Sequence, residues 1–338
     1  MQRRTRGAAS DGTDGAAMAG HDPQVSTAEN YRRFARAEAA GRSPAYERLA
    51  YQVADHVELI GFLDTLPVAK RQPNLFFAAA RFLSGAPPDL ESLRRLVSER
   101  HGELAAVILD RRTQTNEAAR CAILLPALAA LPGPLAILEV GAAAGLTLLV
   151  DYYSYDYGGH HVGGLDPQAP TFRCRTSGPV PLPTHVPDVV WRAGLDLNPL
   201  DVADPDDVDW LRCLLWPGEA DRAERLQAAV ETARRHRPVV HRGDLLDDLA
   251  ALTEQAPADA TLVVYHTAVL AYVDGDRRSA FAREVDRLGA RWLSCEGAGV
   301  VPGAPAPSGP DGGFALVLDG VELLTTADPH GAWVNWFP

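Results

Sequence analysis

Leu135-Ala-Ile-Leu-Glu-Val-Gly-Ala-Ala-Ala-Gly-Leu-Thr-Leu-Leu-Val150 is the stretch that decides the fold. Its first six residues are apolar except for one acid near the end, the pattern of a strand buried on both faces. Gly141-Ala-Ala-Ala-Gly145 follows as a tight turn, and Leu146 to Val150 predicts the opening of a helix. A strand that ends in an acid and passes through glycines into a helix lets backbone approach a ligand closely. It also leaves the helix N-terminus free to hold an anionic group.

Similar apolar runs recur downstream at Val189 to Leu195, Val239 to Arg242, Thr261 to Tyr265 and Arg291 to Cys295. Amphipathic stretches, notably Asp206 to His236 and Arg277 to Gly289, lie between them. Strands alternating with helices predict an α/β fold with a mostly parallel, doubly wound sheet. Phe314 to Leu318 and Val321 to Thr325 flank Asp319-Gly320, so an antiparallel hairpin is expected to close the sheet. Gly297 to Gly313, with six glycines and four prolines, reads as a loop.

Upstream of Pro134 the periodicity is helical. Ser26 and Glu29 form a capping box, and Tyr31, Phe34, Ala35 and Glu38 follow at helical spacing. Ser43-Pro44 opens a second helix with a stripe of Tyr46, Leu49, Val53, Val57 and Ile60. Pro73 starts a third that ends near Gly85, a fourth spans Asp89 to Asp110, and a fifth spans Asn116 to Leu131. The organisation is therefore a polar tail over 1–25, expected to be disordered, an all-α region over 26–133, and an α/β domain over 134–338.

Composition removes several classes. The 338 residues carry a net charge of −12 with no run of five or six like charges, so a nucleic-acid partner is not expected. Cys121, Cys174, Cys213 and Cys295 are too far apart for a zinc knuckle or a redox pair and suggest a reducing, cytoplasmic setting. His160-His161 on a glycine-rich loop is a poor ligand pair, and no metal is expected. Between Cys121 and Val150 the only charge is Glu139, but Pro126, Pro132, Gly133 and Pro134 leave no piece of the roughly 18 residues that a membrane span needs.

The glycine turn resembles the first motif of class I S-adenosylmethionine-dependent methyltransferases, with Glu139, Gly141 and Gly145 matching and Ala143 replacing the middle glycine. Gly194-Leu-Asp-Leu-Asn-Pro199, Arg242-Gly-Asp-Leu-Leu246 and Val263-Val-Tyr-His-Thr-Ala-Val-Leu270 resemble the second, third and fourth strand ends of such enzymes, in order. The resemblance implies that Glu139 and Asp196 would hold the methionine-ribose portion of the cofactor, Asp244 the adenine side, and that His266 would serve as a base. Gly145 and Asp196 lie 51 residues apart, far beyond the roughly 20 of an uninterrupted dinucleotide fold, so an insertion over about 152–188 is expected. More globally, the chain is similar to an uncharacterised actinobacterial family, domain of unknown function 2332, from about Tyr31 to Glu296. That resemblance rests on Arg71-Gln-Pro-Asn74, Gln114-Thr-Asn-Glu-Ala-Ala-Arg-Cys121, the glycine turn and Gly194-Leu-Asp-Leu197.

Two polar clusters stand in the helical part: Arg71, Gln72 and Asn74, and Gln114, Asn116, Glu117 and Arg120. Such residues either cap helices and satisfy backbone or bind a polar substrate beneath a helical lid, with Arg120 receiving a carboxylate or sulfate. Tyr152, Tyr153, Tyr155 and Tyr157 are either packing residues or an aromatic wall, with Tyr153 a substrate contact. Three functions stay open: methyl transfer to a small molecule, a repurposed fold performing another displacement or cyclisation with Arg71 or Arg120 stabilising the leaving group, and a non-catalytic scaffold for a protein partner. A nicotinamide oxidoreductase is disfavoured because Gly-x-Gly-x-x-Gly is absent and Lys70 is the only lysine.

Overall fold

In the computed structural model, which describes residues 25–305 and 313–338, the decisive stretch forms β1 (Leu135–Val140) inside a nine-stranded sheet. All six of its residues are buried, as a strand with neighbours on both edges and layers on both faces requires. The other strands are β2 (Ser154–Asp156), β3 (His161–Val162), β4 (Thr171–Arg173), β5 (Arg175–Ser177), β6 (Val189–Asp196), β7 (Val240–Arg242), β8 (Thr261–Thr267), β9 (Arg291–Gly297), β10 (Phe314–Leu318), β11 (Glu322–Ala327) and β12 (Trp333–Trp336). The main sheet runs β5-β12-β11-β10-β9-β8-β1-β6-β7. It is parallel from β9 to β7, antiparallel from β9 to β12, and parallel again between β12 and β5. The chain leaves β1 toward β6 and β7, then returns to build β8 and β9 on the other side. Strand order thus reverses at β1, and ligands of open α/β sheets bind outside the carboxyl ends at such a point.

Period-two alternation gives each face its own core. Leu135 and Ile137 point into a layer shared with the helical region: α1 (Thr27–Phe34), α2 (Pro44–Ala54), α3 (Val57–Asp64), α4 (Pro73–Ser84), α5 (Leu90–Glu99), α6 (His101–Asp110) and α7 (Cys121–Ala130). The helices α8 (Pro205–Cys213) and α9 (Ala220–His236) complete that layer. Leu138 and Val140 point to the opposite face, against Leu249 and Leu252 of α10 (Leu249–Thr253) and Phe281 and Val285 of α11 (Gly275–Arg287). The first core runs without interruption from Tyr31 to Trp336, so the helical region and the sheet are packed as one body.

Several boundaries differ from expectation. The second predicted helix divides at Asp55-His56 into α2 and α3, and Val57, placed in its stripe, is 85% exposed. The fourth divides at Arg100, whose extended φ of −134° interrupts the helical ladder between α5 and α6. The fifth begins at Cys121, after a 3-10 turn over Ala118–Arg120 whose Ala119 N–H is capped by the Glu117 carboxylate. Most consequential is the segment after the glycine turn, a single 3-10 turn, Leu146–Leu149, where a helix was expected. All four of its residues are buried, and its Leu146 N–H is taken by Asn116 Oδ1 at 3.0 Å.

The insertion contains a three-stranded sheet ordered β3-β2-β4, and its β5 pairs with the far edge of the main sheet. The hairpin turns at Asp319-Gly320, both left-handed, and is followed by β12, a strand not expected from the sequence. The disordered-tail expectation for 1–25 lies outside the described residues except for Val25, as do residues 306–312 of the glycine-rich loop. Among the described residues no helix is long and apolar enough to cross a membrane.

Candidate functional site

Three residues of the glycine turn adopt left-handed backbone: Gly141 (φ 72°), Ala143 (φ 50°) and Gly145 (φ 70°). Ala143 holds this conformation at a steric cost for an L-residue. The turn is pinned from the neighbouring strand. Gly141 N donates to Leu195 O at 2.7 Å, and Ala143 N donates to Asp196 Oδ2 at 2.8 Å. The other carboxylate oxygen of Asp196 accepts from Asn198 N and Gln114 Nε2. A carboxylate offers about four acceptor positions, and three of these are filled.

Above this turn lies a cavity of about 650 Å³, within the usual range for small-molecule sites. Its floor is the carboxyl ends of β1, β6, β7 and β8, and its roof is the helical region around Phe34, Gln72, Asn74 and Gln114. Six basic side chains line it, Arg42, Lys70, Arg112, Arg120, Arg222 and Arg278, against the carboxylates of Glu38, Asp196 and Asp274. That balance is opposite in sign to the chain's net charge of −12.

Of the residues singled out from sequence, Gly141, Ala143, Asp196, Gln72, Asn74, Gln114 and Arg120 meet at this cavity. The amides are largely satisfied within the protein. Gln72 accepts from Thr113 Oγ1 and donates to Ala69 O, and Asn74 accepts from Trp216 Nε1 at 2.9 Å. The rest lie elsewhere. Glu139 is buried beneath the turn, hydrogen-bonded to Thr147 Oγ1, and burial pushes its carboxyl up to about 8. Gly145 packs under Pro238 and Val240, and Asp244 pairs with Arg277 at 2.6 Å, outside the cavity. Arg71 is engaged with Asp64 and Leu66 O, Asn116 with Leu146 N, and Glu117 with Arg222. Tyr153 is fully buried and donates to Leu146 O at 2.8 Å, while Tyr155 and Tyr157 bond the Val150 and Ala122 carbonyls. His266 is also fully buried: its Nδ1 meets Glu296 Oε1 at 2.7 Å and its Nε2 accepts from Trp292.

Arg120 is the exceptional member. It is 2% exposed, and burial lowers its pKa. Its Nε donates to Pro329 O and its Nη1 to the carbonyl and hydroxyl of Thr267, while the guanidinium carbon sits 5.5 Å from the centre of the Phe314 ring. No described residue accepts from Nη2, and Arg120 is one of the residues that line the cavity. No described carboxylate stands within 4.0 Å of this guanidinium.

Sequence reasoning missed Arg42, Arg222 and His330, which join Arg120 at one end of the cavity. His330 rides on the loop between β11 and β12, accepts from Arg42, and is held far below its ordinary pKa by burial and by Arg222, Arg120, Arg42 and Arg225. That loop docks so closely that a Cβ on Gly331 would stand 2.2 Å from Ala119 O. The available signal was the turn pattern Asp328-Pro-His-Gly331, which has no meaning until β12 is recognised.

An α/β protein with a cationic cleft at the strand-order reversal is the class that fold and site define. The chain belongs to the family described as uncharacterized protein conserved in bacteria (DUF2332), whose model matches residues 28–336. The match continues beyond Glu296, where the resemblance read from sequence ends, and takes in β10 to β12 and His330. No curated protein and no solved structure matches it.

Proposed function

We propose that this protein is an enzyme acting on an anionic small molecule seated in the cavity, with one substrate oxygen on Arg120 Nη2. One observation carries the reading: a cavity-lining guanidinium 2% exposed, without a carboxylate partner among the described residues and with Nη2 left as a spare donor. A buried cation left unpaired is costly, and an incoming anion removes that cost. The reaction this favours is a displacement or cyclisation of such an anion, with Arg120 holding its charged group in place.

Methyl transfer from S-adenosylmethionine on a methyltransferase-like fold is the second reading. It is favoured by Asp196, which reaches the cavity beside Gly141 and Ala143 with one acceptor position unfilled. The fit is incomplete, because Glu139, Gly145 and Asp244 are used within the protein and His266 has both ring nitrogens engaged. Calorimetric titration with S-adenosylmethionine and S-adenosylhomocysteine separates the readings. Micromolar binding that Asp196→Ala abolishes supports methyl transfer. No binding up to about 1 mM retires it and leaves the displacement reading. For the anion itself, small carboxylates must bind wild type and fail to bind Arg120→Gln. Equal binding to both proteins removes Arg120 from the site.

A further inference from the structure

The cavity is lined by buried cations and by exposed apolar side chains. Its two most buried cations are Arg120 (2% exposed) and Arg222 (8%). Arg222 is paired with Glu117 at 2.8 Å and Glu219 at 2.6 Å, whereas Arg120 has no described carboxylate within 4.0 Å. Arg120 itself has spent Nε and Nη1 on carbonyls and the Thr267 hydroxyl, so it offers a single amino group and not the two-pronged fork that suits a phosphate dianion. Three other lining residues present exposed, largely apolar surface: Val68 (38%), Leu197 (51%) and Tyr272 (45%). They come from three separate parts of the chain, the turn before α4, the loop after β6 and the segment after β8. The volume of about 650 Å³ far exceeds what a bare carboxylate fills.

We infer that the ligand of this site is an amphipathic monocarboxylic acid, its carboxylate on Arg120 and its apolar body against Val68, Leu197 and Tyr272. The inference rests on the anionic reading above and narrows it. The single spare amino group of Arg120 suits one carboxylate, and exposed apolar surface in the cavity is stabilised when an apolar body removes it from water.

Three probes test this on the full chain by calorimetry: acetate, 3-phenylpropionate and the neutral 3-phenylpropanamide. The expected result is 3-phenylpropionate binding at least about tenfold more tightly than acetate, with the amide weaker than its acid by a similar factor. Leu197→Ser and Tyr272→Ser, both at exposed positions, each weaken 3-phenylpropionate about threefold and leave acetate unchanged. Equal affinity for acetate and 3-phenylpropionate overturns the amphipathic inference while the anionic reading stands. An amide that binds as well as its acid, or no binding of either acid up to about 50 mM, overturns both. The acid–amide comparison uses wild type alone, so it survives any folding defect in a variant.

Discussion

Trp292 Nε1 donates to His266 Nε2 at 3.0 Å, and this bond determines where the histidine keeps its proton. An indole N–H can only donate, so Nε2 must be the bare nitrogen and Nδ1 must carry the hydrogen given to Glu296 Oε1. The same glutamate oxygen accepts from the backbone N–H groups of Val269 and Leu270, so His266 helps hold the loop that forms one cavity wall. Its role in this arrangement is to position that loop.

Nitrogen chemical shifts of His266 should accordingly report a single neutral tautomer with the proton on Nδ1. Trp292→Phe strands a buried acceptor and should lower stability by about 2 kcal/mol, with a mixed tautomer signal. A proton on Nε2 in the wild-type protein would falsify the arrangement.

Glu139 makes stability depend on pH in a direction opposite to that of ordinary surface carboxylates. Burial raises its carboxyl from the usual 4.5 to about 8, so the folded state binds a proton that the unfolded chain releases. Its contribution is complete below about pH 4.5 and is lost as pH rises through about 8. Glu139→Gln keeps a neutral polar group facing Thr147 and removes the titration. The variant should match wild type at pH 5 and exceed it by about 3 kcal/mol at pH 8.5, read from thermal midpoints across that range. A constant difference between the two proteins at every pH would show that Glu139 does not titrate there.

The parallel sheet around β1 was legible because β1, β6, β8 and β9 are apolar runs of six to eight residues buried along half or more of their length, whereas β7, at the edge, is three residues and largely exposed. The cavity was legible only in half. Asp196 and Gln114 stand next to strand ends that sequence marks clearly, whereas Arg42, Arg222 and His330 come from a loop, a helix and a late turn with no local pattern. A chain with 31 arginines gives no sign that Arg120 is the one buried to 2% exposure with no described carboxylate beside it, since that is a property of tertiary packing. The tyrosine run stayed open for a related reason: its spacing fits either packing residues or an aromatic wall, and burial of Tyr153, Tyr155 and Tyr157 favours packing.

Two residues of the glycine turn should respond differently to a single methyl group. A Cβ on Gly141 would stand 2.3 Å from Val269 Cγ2, and its φ of 72° is unfavourable for any L-residue. Gly141→Ala should cost about 2–4 kcal/mol, and adding Val269→Ala should recover only the steric part, leaving about 1–2. Ala143→Gly relieves backbone strain but loses a buried methyl and adds unfolded-state entropy, so the net change should stay within about 1 kcal/mol. Urea midpoints at constant slope measure all three. A fully restored double variant would show that packing alone requires the glycine.

Asp151 and Arg192 join the stem of the insertion to the middle of β6. The pair is bidentate, at 2.6 and 2.7 Å, with the Asp151 side chain 1% and that of Arg192 18% exposed. Arg192 also donates to Leu148 O and lies 4.9 Å over the Tyr152 ring, which in turn stacks on His236 at 3.9 Å. Removing the carboxylate charge leaves a half-buried cation against apolar walls, so Asp151→Asn should destabilise by about 3 kcal/mol. Combining it with Arg192→Met removes the stranded charge as well, and the double variant should be at least about 1 kcal/mol more stable than the sum of the single changes predicts. Because the pair holds the stem and not the cavity walls, limited proteolysis should cut Asp151→Asn first within 152–188, before the parallel strands lose protection. Additive single changes, or cleavage that begins in β6 or β8, would mean that the insertion is held by its own small sheet and by β5, with the ion pair contributing little.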